Sequence, residues 1–299
     1  MDDVEEYIVP KNTVTARITD HLVGKFDRLP SRAGIKKAIK KGEILLNGEP
    51  VEPSRFIHPG DRISLIMWEK PLPRIFELPL QILFEDDWLA VLLKPAGIAV
   101  SGNRYRTIQQ ALPFNLQPSG RRDALPLARP VHRLDIPTRG LLLIAKTAGA
   151  RAQLGRQFEG REVRKHYRAI VAGKLDGEGE IVSPVGELAA ITKYHVVENV
   201  PSLKTGWLSL LDLYPETGRK HQLRIHLAEL GHPIVGDRTY TGESPLLRGK
   251  GLFLSAVGLQ FIHPWTGREM EFRVAQPEKF DALLEREAKR WKKYHGEVS

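Results

Sequence analysis

The chain has 299 residues, 41% of them hydrophobic, and no cysteine, which excludes a disulfide framework, a thiolate metal site and cysteine catalysis. No apolar run approaches the length of a membrane span, and the acidic start Met1-Asp-Asp-Val-Glu-Glu-Tyr7 has no hydrophobic segment of the signal-peptide kind, so a cytoplasmic protein with no membrane partner is expected. A net charge of +9 points to a polyanionic partner, because Lys and Arg that neutralise phosphates release counterions.

In chain order, residues 1–15 read as a loose arm and residues 16–69 as a compact basic unit. The proline-bearing stretch Pro71–Pro79 reads as a linker, and residues 80–299 as one large domain without internal repeats. The small unit opens with a helix predicted over Thr15–Phe26, where Ile18, Leu22, Val23 and Phe26 keep helical spacing. Ser31 is a good N-cap for a second helix carrying Arg32, Lys36, Lys37, Lys40 and Lys41. Asn47-Gly48 between apolar residues signals a hairpin, and His58–Ile66 alternates like a half-buried strand. Two helices, an Asn-Gly hairpin, then Pro-Gly-Asp and a strand resemble the small RNA-binding module named after ribosomal small-subunit protein S-four. That resemblance implies that Arg32, Lys36, Lys37 and Lys40 face RNA; the plainer reading is a solvated helix face.

In the large domain, Ile82–Gly97 reads as two short strands around an acidic turn. The most informative stretch follows at Val131-His132-Arg133-Leu134-Asp135-Ile136-Pro137-Thr138-Arg139-Gly140. It sets one carboxylate, Asp135, between two arginines just ahead of the apolar run Leu141–Lys146, which reads as a buried strand. A rigid strand end can hold a reactive group still, and flanking positive charge favours the ionised carboxylate that a nucleophile must be. Alone, such a pair more often makes a structural salt bridge. Thr147 can cap a helix containing Leu154 and Phe158. Lys165–Gly173 and Trp207–Leu213 read as strands. Gly218–Leu227 opens a helix that stops near Gly231, and a charged C-terminal helix spans about 277–295.

Four segments line up in order: Leu93-Lys94-Pro95-Ala96-Gly97; His132-Arg133-Leu134-Asp135; Lys165-His166-Tyr167; and Gly218-Arg219-Lys220-His221-Gln222-Leu223-Arg224-Ile225-His226, followed by Gly231–Asp237. Together they resemble the RluA family of pseudouridine synthases, over most of residues 80–275, and the S-four-like module is a frequent N-terminal companion there. The resemblance implies an α+β catalytic domain with a mixed, largely antiparallel central sheet, and an isomerase that turns uridine in RNA into its carbon-linked isomer without cofactor or metal. Asp135 matches the catalytic aspartate, which attacks the base or the sugar carbon. Tyr167 matches the tyrosine that stacks under the target base, and Arg224 the arginine that pairs with the aspartate. Arg133 matches the arginine that helps replace the flipped-out nucleotide. Lys94, His132 and Arg219 are further expected substrate contacts.

Large-subunit ribosomal RNA is the expected substrate, with transfer RNA second, and a monomer is expected. Ile136-Pro137, Arg139 and Lys220 depart from the family's usual residues beside the site. A metal reading of His221, His226 and His232 lacks a completing carboxylate or thiolate, so structural hydrogen bonds are expected of them. The rivals are a non-catalytic RNA-binding or ribosome-assembly protein, which should lack Asp, Tyr or Arg at these positions, and a glycosidic hydrolase, which should show a second well-placed carboxylate.

Overall fold

The computed structural model describes residues 3–26, 29, 31–67, 74–241 and 250–296. The end of the expected small unit at 68–69 and the start of the linker at 71–73 lie outside the described residues. The chain divides into two compact units, Met1–Pro73 and Arg74–Ser299.

The first unit contains β1 (Asp3–Ile8), β2 (Ala16–Arg17), α1 (Ile18–His21), α2 (Arg32–Lys40), β3 (Ile44–Leu46), β4 (Glu49–Pro50), β5 (Phe56–Ile57) and β6 (Arg62–Met67). β1 pairs antiparallel with β6 from Asp3↔Met67 to Ile8↔Arg62. Residues 3–8 of the segment read as a loose arm are therefore a strand. The exposed edge of β6 offered unpaired backbone groups, and β1 completes its ladder. The first helix is shorter than its apolar spacing predicts. It ends at His21 and continues as turns to Phe26, with Gly24 in a left-handed conformation. Ile18, Leu22 and Phe26 still reach the core, while Val23 is exposed. Ser31 caps α2, its hydroxyl accepting from the Gly34 N–H at 3.2 Å. Asn47 and Gly48, at φ 53° and 85°, make the hairpin turn whose twist matches its strands. Asp61 accepts from Asn47 Nδ2 at 2.9 Å and His58 N–H at 2.7 Å, tying that turn to the next one.

The second unit contains β7 (Gln81–Glu85), β8 (Leu89–Lys94), α3 (Ile108–Asn115), β9 (Ala124–Pro130), β10 (Arg139–Thr147), α4 (Ala148–Glu159), β11 (Arg164–Ala172), β12 (Glu178–Val182), β13 (Ile191–Ser202), β14 (Gly206–Pro215), α5 (Gln222–Glu229), β15 (Leu254–Ile262), β16 (Glu269–Arg273) and α6 (Glu278–His295). Ten strands form one sheet in the order β12-β13-β14-β11-β15-β10-β8-β7, with β16 beside β15 and β9 beside β10. The β10–β15 pair is parallel and its other pairings are antiparallel, so the sheet is mixed and largely antiparallel, as expected.

The apolar run after Asp135 is buried on both faces of the sheet. Leu142 and Ile144 pack with Ile108 and Leu112 of α3, and Leu141 and Leu143 with Leu154 of α4. Each such side chain contributes roughly 1.5–3 kcal/mol by leaving water. The start of β10 is correspondingly rigid. Thr147 caps α4 through the Ala150 N–H at 3.1 Å, as its position predicts. Residues 74–79 carry no regular structure, as the prolines suggest, yet Phe76 N–H bonds Gln110 C=O at 3.0 Å.

Gly140, at φ 139°, begins the run where β10 meets β15 side by side. A Cβ there would overlap the Ala256 backbone. Gly140→Ala should therefore cost about 3 kcal/mol or more, from steric overlap and backbone strain together. Thermal denaturation should show a lowered Tm; an unchanged Tm would mean that the two strands can part there freely.

Candidate active site

The loop ahead of β10 carries Asp135 into a cavity of about 560 Å³. Its walls also include Arg133, Tyr167, Arg219, His221 and Arg224. Three elements far apart in sequence thus converge: the strand-entry loop, β11 with Tyr167, and the start of α5 with His221 and Arg224.

The loop is held from below. Lys94 is fully buried, and its ammonium donates to the carbonyls of Pro95 at 2.9 Å, Ile136 at 3.2 Å and Thr138 at 2.8 Å. Gly97 N–H adds a bond to Ile136 C=O at 2.7 Å, and Thr138 N–H closes back on Asp135 C=O at 3.0 Å. Burial pulls the Lys94 ammonium down to about 8, opposed by the charge of Asp135. This corrects the expectation that Lys94 contacts substrate. Its hydrogens are taken up by backbone carbonyls, so the Lys94–Gly97 segment is the brace of the Asp135 loop.

His132 lines the cavity. Its ring stacks on Phe158 with centroids 4.9 Å apart, and its Nε2 accepts from Leu143 N–H at 3.0 Å. Burial, with the nearby Lys165 charge, pushes its pKa down to about 3, so the ring is a neutral part of the cavity wall. Arg133 is exposed at the rim, and Arg219 is half-buried with its Nε donating to Ala189 C=O at 3.2 Å. The side chains of Ile136, Arg139 and Lys220, the departures from the family pattern, are exposed.

Arg224 is 5% exposed and meets two carboxylates. Its Nε donates to Asp237 Oδ2 at 2.6 Å and its Nη2 to Asp237 Oδ1 at 2.8 Å. Nη2 also donates to Thr239 Oγ1 at 2.9 Å. That leaves Nη1 for Asp135 Oδ2, at 3.5 Å. The Tyr240 ring lies 5.1 Å from the guanidinium carbon. For Asp237, burial pushes the carboxyl up, but the Arg224 hydrogen bond, the Thr239 and Tyr240 amides and the Arg224 charge outweigh it and hold the carboxyl below the ordinary range. Arg224 is raised: its own burial opposes the charge, and the bonds and charges of Asp237 and Asp135 more than offset that.

His221 stands on the other side of Asp135, Nε2 to Oδ1 at 3.7 Å, while its Nδ1 and the Tyr240 hydroxyl are 2.8 Å apart. Its backbone is left-handed, φ 59°, immediately before α5. A non-glycine residue held so is strained by about 1–3 kcal/mol, and such strain clusters at functional sites. Gln222 secures the turn by accepting from Thr217 Oγ1 at 2.7 Å and Arg219 N–H at 3.0 Å. Burial raises the Tyr167 phenol, and the Asp135 charge adds to the effect, so the hydroxyl is protonated at neutral pH.

His226 and His232 make structural hydrogen bonds, as expected. His226 lies between Thr192 Oγ1 at 3.0 Å and Ser183 C=O at 2.9 Å, and His232 Nδ1 is 2.9 Å from Ala172 C=O. Among the described residues, no group of three or more His, Asp or Glu converges as a metal site. No described helix is long and apolar enough to cross a membrane. In the first unit, Arg32, Lys36, Lys37 and Lys40 are exposed on α2, with Arg32 paired to Asp20 at 2.9 Å.

Sequence reasoning passed over Asp237, Tyr240 and the bond of His221 to that tyrosine. The signal for Asp237 was present in Gly231–Asp237, where it is the one carboxylate and closes a segment without Lys or Arg.

Residues 88–229, which include Asp135, Tyr167 and Arg224, match the family model described as RNA pseudouridylate synthase, and residues 29–63 match the S4 domain. An RNA pseudouridine synthase of Aquifex aeolicus is 34% identical over 85% of this chain and 88% of its own length. Ribosomal large subunit pseudouridine synthase D of Nitrosomonas europaea is 32% identical over 92% of this chain and 88% of its own. Among solved structures, human RNA pseudouridylate synthase domain containing 4 superposes with a TM-score of 0.56 at 26% identity, covering 69% of this chain and 92% of that one.

Asp237→Asn should release the guanidinium from its clamp. Breaking a buried pair in this way costs about 3–5 kcal/mol. Because the folded carboxyl is depressed, the stability it supplies is present above its unfolded pKa of about 3.9 and is lost as pH falls below that. Denaturant titrations of the native chain and the variant should differ at pH 7 and converge towards pH 3; equal stability at pH 7 would contradict the clamp.

Proposed function

This chain belongs to the RNA pseudouridine synthases of the RluA type, isomerases that act on RNA, and we propose that it converts specific uridines of large-subunit ribosomal RNA to pseudouridine with Asp135 as the catalytic carboxylate. The observation that carries this reading is that Asp135, Tyr167 and Arg224 line one cavity. Ribosomal substrates are supported by relatives named ribosomal large subunit pseudouridine synthase D, from Nitrosomonas europaea and Vibrio cholerae.

The chemistry sets the demands. The N1–C1′ glycosidic bond must break, the base must turn, and a C5–C1′ bond must form. N1 gains a proton and the C5 hydrogen leaves, so the net composition of the RNA is unchanged. A uridine in structured RNA offers only its edges, so it must first be extruded. The Tyr167 ring gives the extruded base a stacking face, worth about 1–3 kcal/mol. Asp135 supplies a covalent step that divides bond cleavage from re-attachment, while the cavity retains the detached base. Arg224 aims that carboxylate, and the protonated Tyr167 hydroxyl gives its proton to N1 of the detached base and is restored by the proton that leaves C5. Arg133 at the rim fills the gap that the extruded nucleotide leaves, and Arg219 contacts the backbone. Arg32, Lys36, Lys37 and Lys40 of α2 add phosphate contacts from the first unit, an affinity that weakens with salt.

Asp135→Ala should abolish release of tritium from RNA labelled at uridine C5, with RNA affinity within about threefold of native. Tyr167→Phe, which keeps the ring and removes the hydroxyl, should slow turnover by about 10²–10⁴-fold. Tritium release by Asp135→Ala at the native rate would remove that carboxylate from the mechanism. Mapping pseudouridines in cells with and without the gene tests the substrate: loss of one discrete large-subunit site is expected, and loss confined to transfer RNA would overturn the ribosomal assignment.

A further inference from the structure

At the far end of β8 and β10 from the cavity, two tryptophans from different turns lie face to face. Trp88 follows the acidic turn after β7, and Trp265 sits in the turn between β15 and β16. Their ring centroids are 5.3 Å apart and their planes 14° from parallel. The Arg121 guanidinium lies 4.1 Å from the Trp88 centroid and pairs with Asp87 at 3.0 Å. Trp265 is 68% exposed. An indole this open leaves a large apolar face in water.

The frame beneath the pair is built. Asp86 Oδ1 accepts the N–H groups of Trp88 at 2.7 Å and Leu89 at 2.9 Å. Its Oδ2 lies 2.8 Å from His263 Nε2, and His263 Nδ1 accepts the N–H groups of Trp265 and Thr266, each at 3.1 Å. With Nδ1 accepting, Nε2 carries the proton and donates to Asp86. One imidazole, 3% exposed, therefore joins the two turns and fixes the indoles in parallel. Lys146, also buried, ties the corner to Glu85 at 2.6 Å and to Asp86 C=O at 2.6 Å. Such an arrangement needs no reordering to receive a flat ligand.

Its position and rim narrow the occupant. The six residues of β8, Leu89–Lys94, separate the platform from the Asp135 loop by about 20 Å, at roughly 3.3 Å per residue. Arg121 at the platform is exposed and paired to Asp87, and Arg122 and Arg268, which adjoin it in sequence, are exposed cations. The open apolar surface is chiefly that of Trp265, with Trp88 half-buried and Ile262 40% exposed nearby in sequence; an indole offers at most about 250 Å², whereas a stable protein interface buries about 800 Å² per partner. A nucleobase fits the area, the aromatic face and the cationic rim; a second protein surface is undersupplied. We infer that Trp265, backed by Trp88 and Arg121, is a stacking platform for an unpaired base of the RNA, outside the catalytic cavity. The inference rests on RNA as the substrate and not on the roles proposed for Asp135, Tyr167 and Arg224.

Fluorescence anisotropy with the full chain tests it, using a fluorescein-labelled single-stranded oligouridylate and an RNA duplex of equal length as probes. Trp265→Ala should weaken single-strand binding about tenfold, within the range of one lost stack. Its salt dependence should not change, because no phosphate contact is removed. Trp265→Phe should bind within about threefold of native, and duplex binding should be unaffected. Circular dichroism of both variants reports the fold. Native-like single-strand affinity in Trp265→Ala would overturn the proposal. So would Trp265→Leu binding as well as Trp265→Phe, since a merely apolar contact would then suffice. A native dimer in sedimentation that Trp265→Ala dissolves would also overturn it, by assigning the face to a second copy of the chain.

Discussion

The site depends on one guanidinium that meets two carboxylates. Asp237 takes Nε and Nη2 of Arg224, and only Nη1 is left to face Asp135. A planar fork can make both approaches at once; a point charge cannot. The clamp sits on α5, whose entry is fixed by the left-handed His221 and by Gln222. Lys94 completes the balance from the other side. Its pKa of about 8 leaves it largely protonated at neutral pH. Two cations, Arg224 and Lys94, then stand against two carboxylates, Asp135 and Asp237. A buried cluster whose charges did not cancel would cost several kcal/mol per excess ion.

This balance explains why the loop can be rigid without its side chains being committed. The brace acts on the backbone of Ile136 and Thr138, through carbonyls that any residue would supply. Ile136 and Arg139 are therefore free to differ from the usual family residues, with their side chains exposed. The buried run Leu141–Ile144 supplies the stiffness behind the loop, and Gly140 the close strand contact that the turn into β10 requires.

Much of this was legible in the chain. Ser31 and Thr147 as caps, Asn47-Gly48 as a hairpin turn, and the two strands around Glu85–Trp88 follow from local chemistry. Asp135, Tyr167 and Arg224 were legible as a set because their flanking motifs are specific. What was hidden depends on pairing between distant segments. β1 is acidic and unremarkable alone, and only the edge of β6 makes it a strand. The spacing from Ile18 to Phe26 marks Ile18, Leu22 and Phe26 as core positions, but it includes the exposed Val23 and misses the turns at Leu22–Phe26 that deliver the others. Lys94 looked like a substrate contact because a cation beside the Asp135 loop usually is exposed. Its burial follows from strand packing that no local pattern encodes.

A single fork orients the carboxylate at the heart of the cavity. Arg224→Lys separates fork from charge, since lysine keeps the positive charge but cannot grip Asp237 at two points and still reach Asp135. Turnover at saturating RNA should fall at least about 100-fold, with RNA affinity within about threefold of native. Turnover within threefold of native would show instead that charge alone, without the fork, is enough.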